Sequence, residues 1–200
     1  MRIKTSISTL VVVLLLSGLV LNTSCKSADS MTTAEESAAL AALETQLNAK
    51  AFRVDINTIF PFNTAATNQV LNDLLIQRTG NSANRIDVSA DGHFIEVSNA
   101  STKGSLPFFG EQRLVAGHYN GDNQGIEFDG EPEDYSMTKH EKKNALEIKY
   151  HIKDKYETTE SYNVQLTIYP NKSVDVFITS TLKNLIRYKG ELKPVEAARP

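Results

Sequence analysis

The chain has 200 residues, 21 basic and 24 acidic side chains, one Cys, no Trp and a formal charge of −3. A single Cys excludes an intramolecular disulfide, so the fold must stand on its own apolar core. The mildly acidic balance excludes a general attraction to nucleic acid.

Arg2 and Lys4 precede an apolar run over residues 10–21, broken only by Ser17 and Gly18. A run of about a dozen residues falls short of the roughly 20 needed for a spanning helix. Basic, apolar and small residues in that order make residues 1–24 a secretory signal peptide. The next residue is the lone Cys25, and Leu21-Asn22-Thr23-Ser24-Cys25 resembles a bacterial lipobox, whose Cys is lipidated and becomes the mature N-terminus. Ser24 fits that pattern; Asn22 stands where an apolar residue is usual, and Leu21 comes one place early. The expectation is a bacterial envelope protein held by lipid at Cys25, on the outer membrane. From Cys25 the chain keeps 176 residues, and without Arg2 and Lys4 it carries 19 basic against 24 acidic side chains, a balance of −5. Residues 25–32 read as the lipidated Cys and a small, polar tether. Within them, Asp29-Ser30-Met31 resembles the O-glycosylation motif of Bacteroidetes, which makes Ser30 a candidate acceptor.

Residues 33–50 read as a helix. Thr33 and Glu36 have capping-box spacing, Glu35 and Glu36 suit the positive end of the helix dipole, and Leu40, Leu43, Leu47 and Ala51 form one narrow apolar stripe. The period then changes to two. Phe52, Val54 and Ile56 alternate with polar residues, as do Ile86 and Val88. Asp91-Gly92 signals a hairpin before a strand over residues 93–98. Residues 114–119 and 126–128 are shorter candidates. Leu146, Ile148, Tyr150 and Ile152 alternate with Glu147, Lys149, His151 and Lys153. Tyr162, Val164, Leu166 and Ile168 do the same, and after a turn at residues 170–173 so do Val174, Val176 and Ile178. Residues 185–189 complete the series. Residues 68–77 suit a short helix or an irregular segment, residues 130–134 an acidic loop, and residues 191–200 a frayed tail. One-sided alternation indicates antiparallel sheet. The expected fold for residues 51–190 is mainly β, an antiparallel meander curled into a lipocalin-like barrel or half-barrel with one N-terminal amphipathic helix. Alternation alone leaves a two-sheet sandwich open.

The most specific motif is Leu106-Pro107-Phe108-Phe109-Gly110. Pro107 fixes φ, Gly110 permits a sharp exit, and two adjacent Phe side chains leave an extended chain in opposite directions. This motif, with Leu185-Ile186-Arg187-Tyr188-Lys189-Gly190 near the end, resembles a Bacteroidetes lipoprotein family known as a domain of unknown function, DUF 4251. The resemblance covers residues 51–190. It implies a lipocalin-like β topology and no assigned activity.

His93, His118, His140 and His151 have no metal-ligand spacing, and the acidic residues 131–134, beside Pro132, lack calcium-loop spacing. No Gly-x-Ser-x-Gly elbow occurs, nothing raises Glu96, Glu111 or Glu127 above other carboxylates, and no phosphate loop is present. The run Lys139-His140-Glu141-Lys142-Lys143 reads as a solvated turn. The expectation is therefore a non-enzymatic domain with no cofactor and no metal. Its partners would be a membrane, through the lipid, and an envelope protein. The alternative is a lipocalin-like carrier of a small apolar ligand, with Phe108, Phe109, Tyr150, Tyr162 and Phe177 as candidate lining or rim residues.

Overall fold

The computed structural model describes residues 33–62, 64, 65, 68, 69, 72, 82–110 and 125–195. The leader with Cys25, the tether with Ser30, the strand expected over residues 114–119, and Glu111 and His118 lie outside the described residues. So does most of 68–77.

The elements in chain order are α1 (Thr33–Asn48), β1 (Ala51–Pro61), β2 (Ile86–Asp87), β3 (Phe94–Ser98), β4 (Ser101–Leu106), β5 (Ile126–Gly130) and β6 (Glu133–His140). A 3-10 turn (Glu141–Lys143), β7 (Ala145–Lys153), β8 (Ser161–Ile168), β9 (Ser173–Ser180) and β10 (Ile186–Pro194) follow. All strands belong to one antiparallel sheet with the path β5-β4-β3-β1-β10-β9-β8-β7-β6, and β2 pairs with β1 off that path. There is no second sheet among the described residues, so the half-barrel describes the fold and the sandwich does not.

The path explains the curl. Laid flat, nine strands at about 4.8 Å spacing would hold the two edges about 38 Å apart. Yet edge strand β5 ends at Gly130 and edge strand β6 begins at Glu133, and three residues reach no more than about 10 Å. The sheet must therefore bend until its edges meet. β5 and β6 are one run of chain interrupted at Glu131-Pro132: its first part pairs with β4, from Leu106↔Ile126 to Thr102↔Gly130, and its second with β7, from Glu133↔His151 to His140↔Ala145. Pro132 lacks the N–H that a continuous ladder would use. Across the seam, Lys155 N–H donates to Glu127 O at 2.8 Å.

Alternation decides what the curl encloses. Phe52, Val54 and Ile56 of β1, Ile95 and Val97 of β3, Ile148, Tyr150 and Ile152 of β7, and Tyr162, Val164 and Leu166 of β8 are all buried. A shift in register between Ile56 and Thr58 against β10 moves the inward set, so that Ile59 is buried in the second half of β1. Helix α1 adds Leu40, Leu43 and Leu47 to the same core, a burial that contributes about 1.5–3 kcal/mol per side chain. The helix is shorter than expected: Lys50 has φ +47, which ends the helical path, and Ala51 opens β1 with its side chain exposed.

Other expectations need correction. Asp91-Gly92 makes a turn, with Gly92 at φ +75, but not a hairpin. Both flanking strands lie on β1, β2 against Thr58–Ile59 and β3 against Ala51–Asp55. Of the acidic loop expected over residues 130–134, Gly130 ends β5, Glu131 and Pro132 form the link, and Glu133 and Asp134 open β6; the basic run covers the end of β6 and the turn after it. The last strand continues through Pro194 because Leu192, Lys193 and Pro194 pair with Val54, Arg53 and Phe52. The expected tail at Glu191 thus begins four residues too early.

Three buried tyrosines link this core to pH. Burial pushes the Tyr150 and Tyr188 hydroxyls well above the ordinary value of 10, and burial with the neighbouring Asp154 carboxylate does the same for Tyr162. Each keeps its proton in the folded state and loses it on unfolding. Their contribution is intact below pH 10 and is lost above it, at about 1.4 kcal/mol per pH unit for each hydroxyl. An alkaline titration should show tyrosinate absorbance rising together with loss of β circular dichroism. Ionisation of all seven Tyr residues with the sheet intact would contradict this.

Candidate functional site

The strand directions sort the loops into two ends. The turns at residues 99–100, 141–144 and 169–172 lie at the end where α1 leads into β1. Residues 107–110, 154–160 and 181–185 lie at the other, the far end. The expected site residues divide accordingly. Tyr150 and Tyr162 point into the core, where the Phe128 ring meets Tyr150 edge-on at 6.4 Å and Tyr162 at 6.2 Å, and Tyr135 stacks on Tyr150 at 6.1 Å. Tyr162 and Phe128 are 0 % exposed and Tyr150 is 3 % exposed, so these rings fill the interior with one another. The Tyr135 and Tyr150 hydroxyls and Thr102 Oγ1 are buried there without a hydrogen-bond partner among the described residues, at a cost of about 1–3 kcal/mol each. Phe177 is not an interior position. Val176 and Ile178 take the inward places, which puts Phe177 on the outer face with Asp175 and Thr179.

The Leu-Pro-Phe-Phe-Gly motif closes the far end. Leu106 and Phe108 are buried, whereas Phe109 is 45 % exposed. A Cβ on Gly110 would stand 2.5 Å from the Phe108 ring, so any larger residue there would force the buried ring to shift. The two motif segments touch: the buried Tyr188 hydroxyl donates to Pro107 O at 2.9 Å. Phe62, Tyr156 and Leu185 are exposed at the same end as Phe109, forming a scattered apolar rim.

Beneath that rim lies a polar cluster with no advance signal in the sequence pattern. Lys183 Nζ is in contact with Glu160 Oε2, and their side chains are only 6 % and 3 % exposed. Ser180 Oγ donates to Glu160 Oε1 at 2.5 Å and accepts from the N–H groups of Leu182 and Lys183 at 3.0 Å. Tyr162 donates to Asp154 Oδ2 at 2.6 Å, and Asp154 Oδ1 accepts from the N–H groups of Tyr156 and Glu157. Each charge in the buried pair has its partner, and the cluster ties the β7–β8 connection to the β9–β10 connection. Its groups are committed to one another, which suits a fastener rather than chemistry on a substrate.

Among the described residues no group of three or more His, Asp or Glu could hold a metal. Glu96 lines a surface pocket with Asp55, Arg53, Lys193 and Pro194, where Arg53 holds both carboxylates, Asp55 at 2.7 Å and Glu96 at 3.4 Å; Glu127 accepts from Ser105 at 3.0 Å on a different pair of strands. The basic run is spread over the end of β6 and an exposed turn.

Residues 34–192 match the family described as Domain of unknown function (DUF4251). The chain belongs to that family. No curated protein and no solved structure matches it. Within the matched span, the segments 106–110 and 185–190 are joined by the Tyr188–Pro107 hydrogen bond, a structural junction.

The buried pair gives a direct test. Lys183→Met should destabilise the protein by about 3–5 kcal/mol, because Glu160 is left charged and unpaired, and Glu160→Gln added to Lys183→Met should recover most of that loss. Urea unfolding of both variants measures it; equal losses would mean that packing, not charge, sets the effect.

Proposed function

We propose that this is a lipid-anchored protein of the bacterial envelope whose β domain is a non-enzymatic binding or structural module, and that it meets its partner through its outer surface. The observation that carries the reading is the filled interior. Lipocalin-like carriers keep room for a ligand inside the sheet; here Phe128, Tyr150 and Tyr162 occupy that space and are nearly or wholly inaccessible to water. Lipid anchoring rests on the leader and Cys25, with outer-membrane attachment as the expected address. Phe62, Phe109, Tyr156 and Leu185 are exposed at the far end of the domain, where an envelope protein could reach them.

One experiment addresses both halves. The protein, extracted from its host's membranes in mild detergent, is weighed intact by native mass spectrometry. The expected mass is the chain from Cys25 with acyl chains on that residue and no other small molecule; a sugar increment on the peptide containing Ser30 would mark it as an O-glycosylation site. Cys25→Ser should move the protein to the soluble fraction. An unacylated chain, or a Cys25→Ser protein that stays with membranes, would refute the anchor. A co-purifying apolar molecule released on unfolding would make the domain a carrier.

A further inference from the structure

The outer face of the sheet carries a groove of about 260 Å³ over β7, β8 and β9, lined by Asp134, Lys149, His151, Asn163, Gln165, Phe177 and Thr179 among others. It exists because β6 shifts register between Glu133 and Ser136. Asp134 in that bulge adopts φ +55, and it forms a wall beside the regular ladder of β7 and β8.

We propose that this groove is a binding subsite for a neutral sugar ring. The proposal rests on the reading that the outer surface, not the interior, meets partners. The groove holds one half-buried aromatic side chain, Phe177, whose cross-strand neighbours are Gln165 on β8 and Arg187 on β10, the latter with its guanidinium over the Phe60 ring at 4.3 Å. Around it stand planar amides and hydroxyls. His151 Nδ1 lies 3.0 Å from Asn163 Oδ1, a pair that leaves the Asn163 NH2 and His151 Nε2 uncommitted. Gln165 Nε2 donates to Glu147 Oε1 at 2.7 Å, which fixes that amide with its carbonyl oxygen available. Glu147 also holds Lys149 Nζ at 2.5 Å, so the cation is already matched and Asp134 contributes the remaining charge. An anionic ligand is disfavoured there. A sugar offers the complement: an apolar C–H face for the ring and hydroxyls that both donate and accept.

A peptide fits less well. β7, β8 and β9 each have a paired strand on both sides, so no free edge exists for an added strand. Recognition must come from side chains alone. The volume also lies just under the roughly 300–1,000 Å³ of drug-sized sites, which suits one ring rather than a long chain.

The test is saturation-transfer NMR on the detergent-extracted full-length protein, with cellobiose, maltose and N,N′-diacetylchitobiose as neutral probes and digalacturonate as the anionic control. At least one neutral probe should bind with a Kd of about 1 mM. Phe177→Ala should weaken it about tenfold or more, Asn163→Ala should weaken it too, and Phe177→Tyr should preserve it. Phe177 and Asn163 lie on the outer face, and circular dichroism of each variant checks that the sheet is retained. No transfer to any neutral probe, a signal only from digalacturonate, or unchanged binding in Phe177→Ala would overturn the site. Those results leave the envelope reading standing, since that reading falls on the mass of the extracted protein instead.

Discussion

Everything in this fold hangs on a two-residue link. Glu131 and Pro132 join strands that sit at opposite ends of a nine-strand path. Because so short a link cannot cross a flat sheet, the sheet has to curl, and the amount of curl fixes the volume enclosed. A chain that paired β5 with β6 as a hairpin would impose no such limit. Pro132 works against that pairing by removing a backbone donor at the critical place.

The enclosed volume then has to be matched by side chains, and the strands do so by trading size between paired neighbours. Gly104 on β4 lies opposite Phe128 on β5, and a Cβ at Gly104 would stand 2.3 Å from the Phe128 ring. The ring therefore needs the glycine. Gly190 plays a similar part beside β1, where a Cβ would come within 2.5 Å of Asp55 O, next to the shift in register that re-aims the second half of β1. Phe128 in turn meets Tyr150 and Tyr162, and Tyr135 stacks behind Tyr150. Such close packing argues for a domain whose dealings with other molecules occur outside the sheet. It also makes the segments 106–110 and 185–190 structural: Pro107, Gly110 and Tyr188 close one end of the same enclosure.

Alternation of large apolar residues makes β1, β7, β8 and β9 the most legible strands in the sequence, with shorter signals for β2, β3, β5 and the start of β10. β4 and β6 were hidden for physical reasons. The inward positions of β4 are Thr102, Gly104 and Leu106, and Gly104 must be small because Phe128 fills its place. β6 faces inward with half-buried Tyr135 and Met137 and otherwise carries charge, so its composition reads as loop. The end of β10 reads as tail for a similar cause: only Leu192 is apolar and buried among Glu191, Leu192 and Lys193. Of the candidate site residues, Tyr150 and Tyr162 were assigned to the inner surface by alternation. Phe177 was misplaced by aromatic character, although its own strand's alternation put it outside. Glu160 and Lys183 are far apart in sequence and sit in polar stretches; only the fold brings them together.

The sheet and α1 fill the enclosed space with their own side chains. Xenon enters apolar cavities that water leaves empty, so crystals of the protein pressurised with xenon test that filling directly. No xenon is expected between α1 and the rings of Phe128, Tyr150 and Tyr162. An occupied xenon site among those rings would reveal an internal chamber and contradict the filled interior.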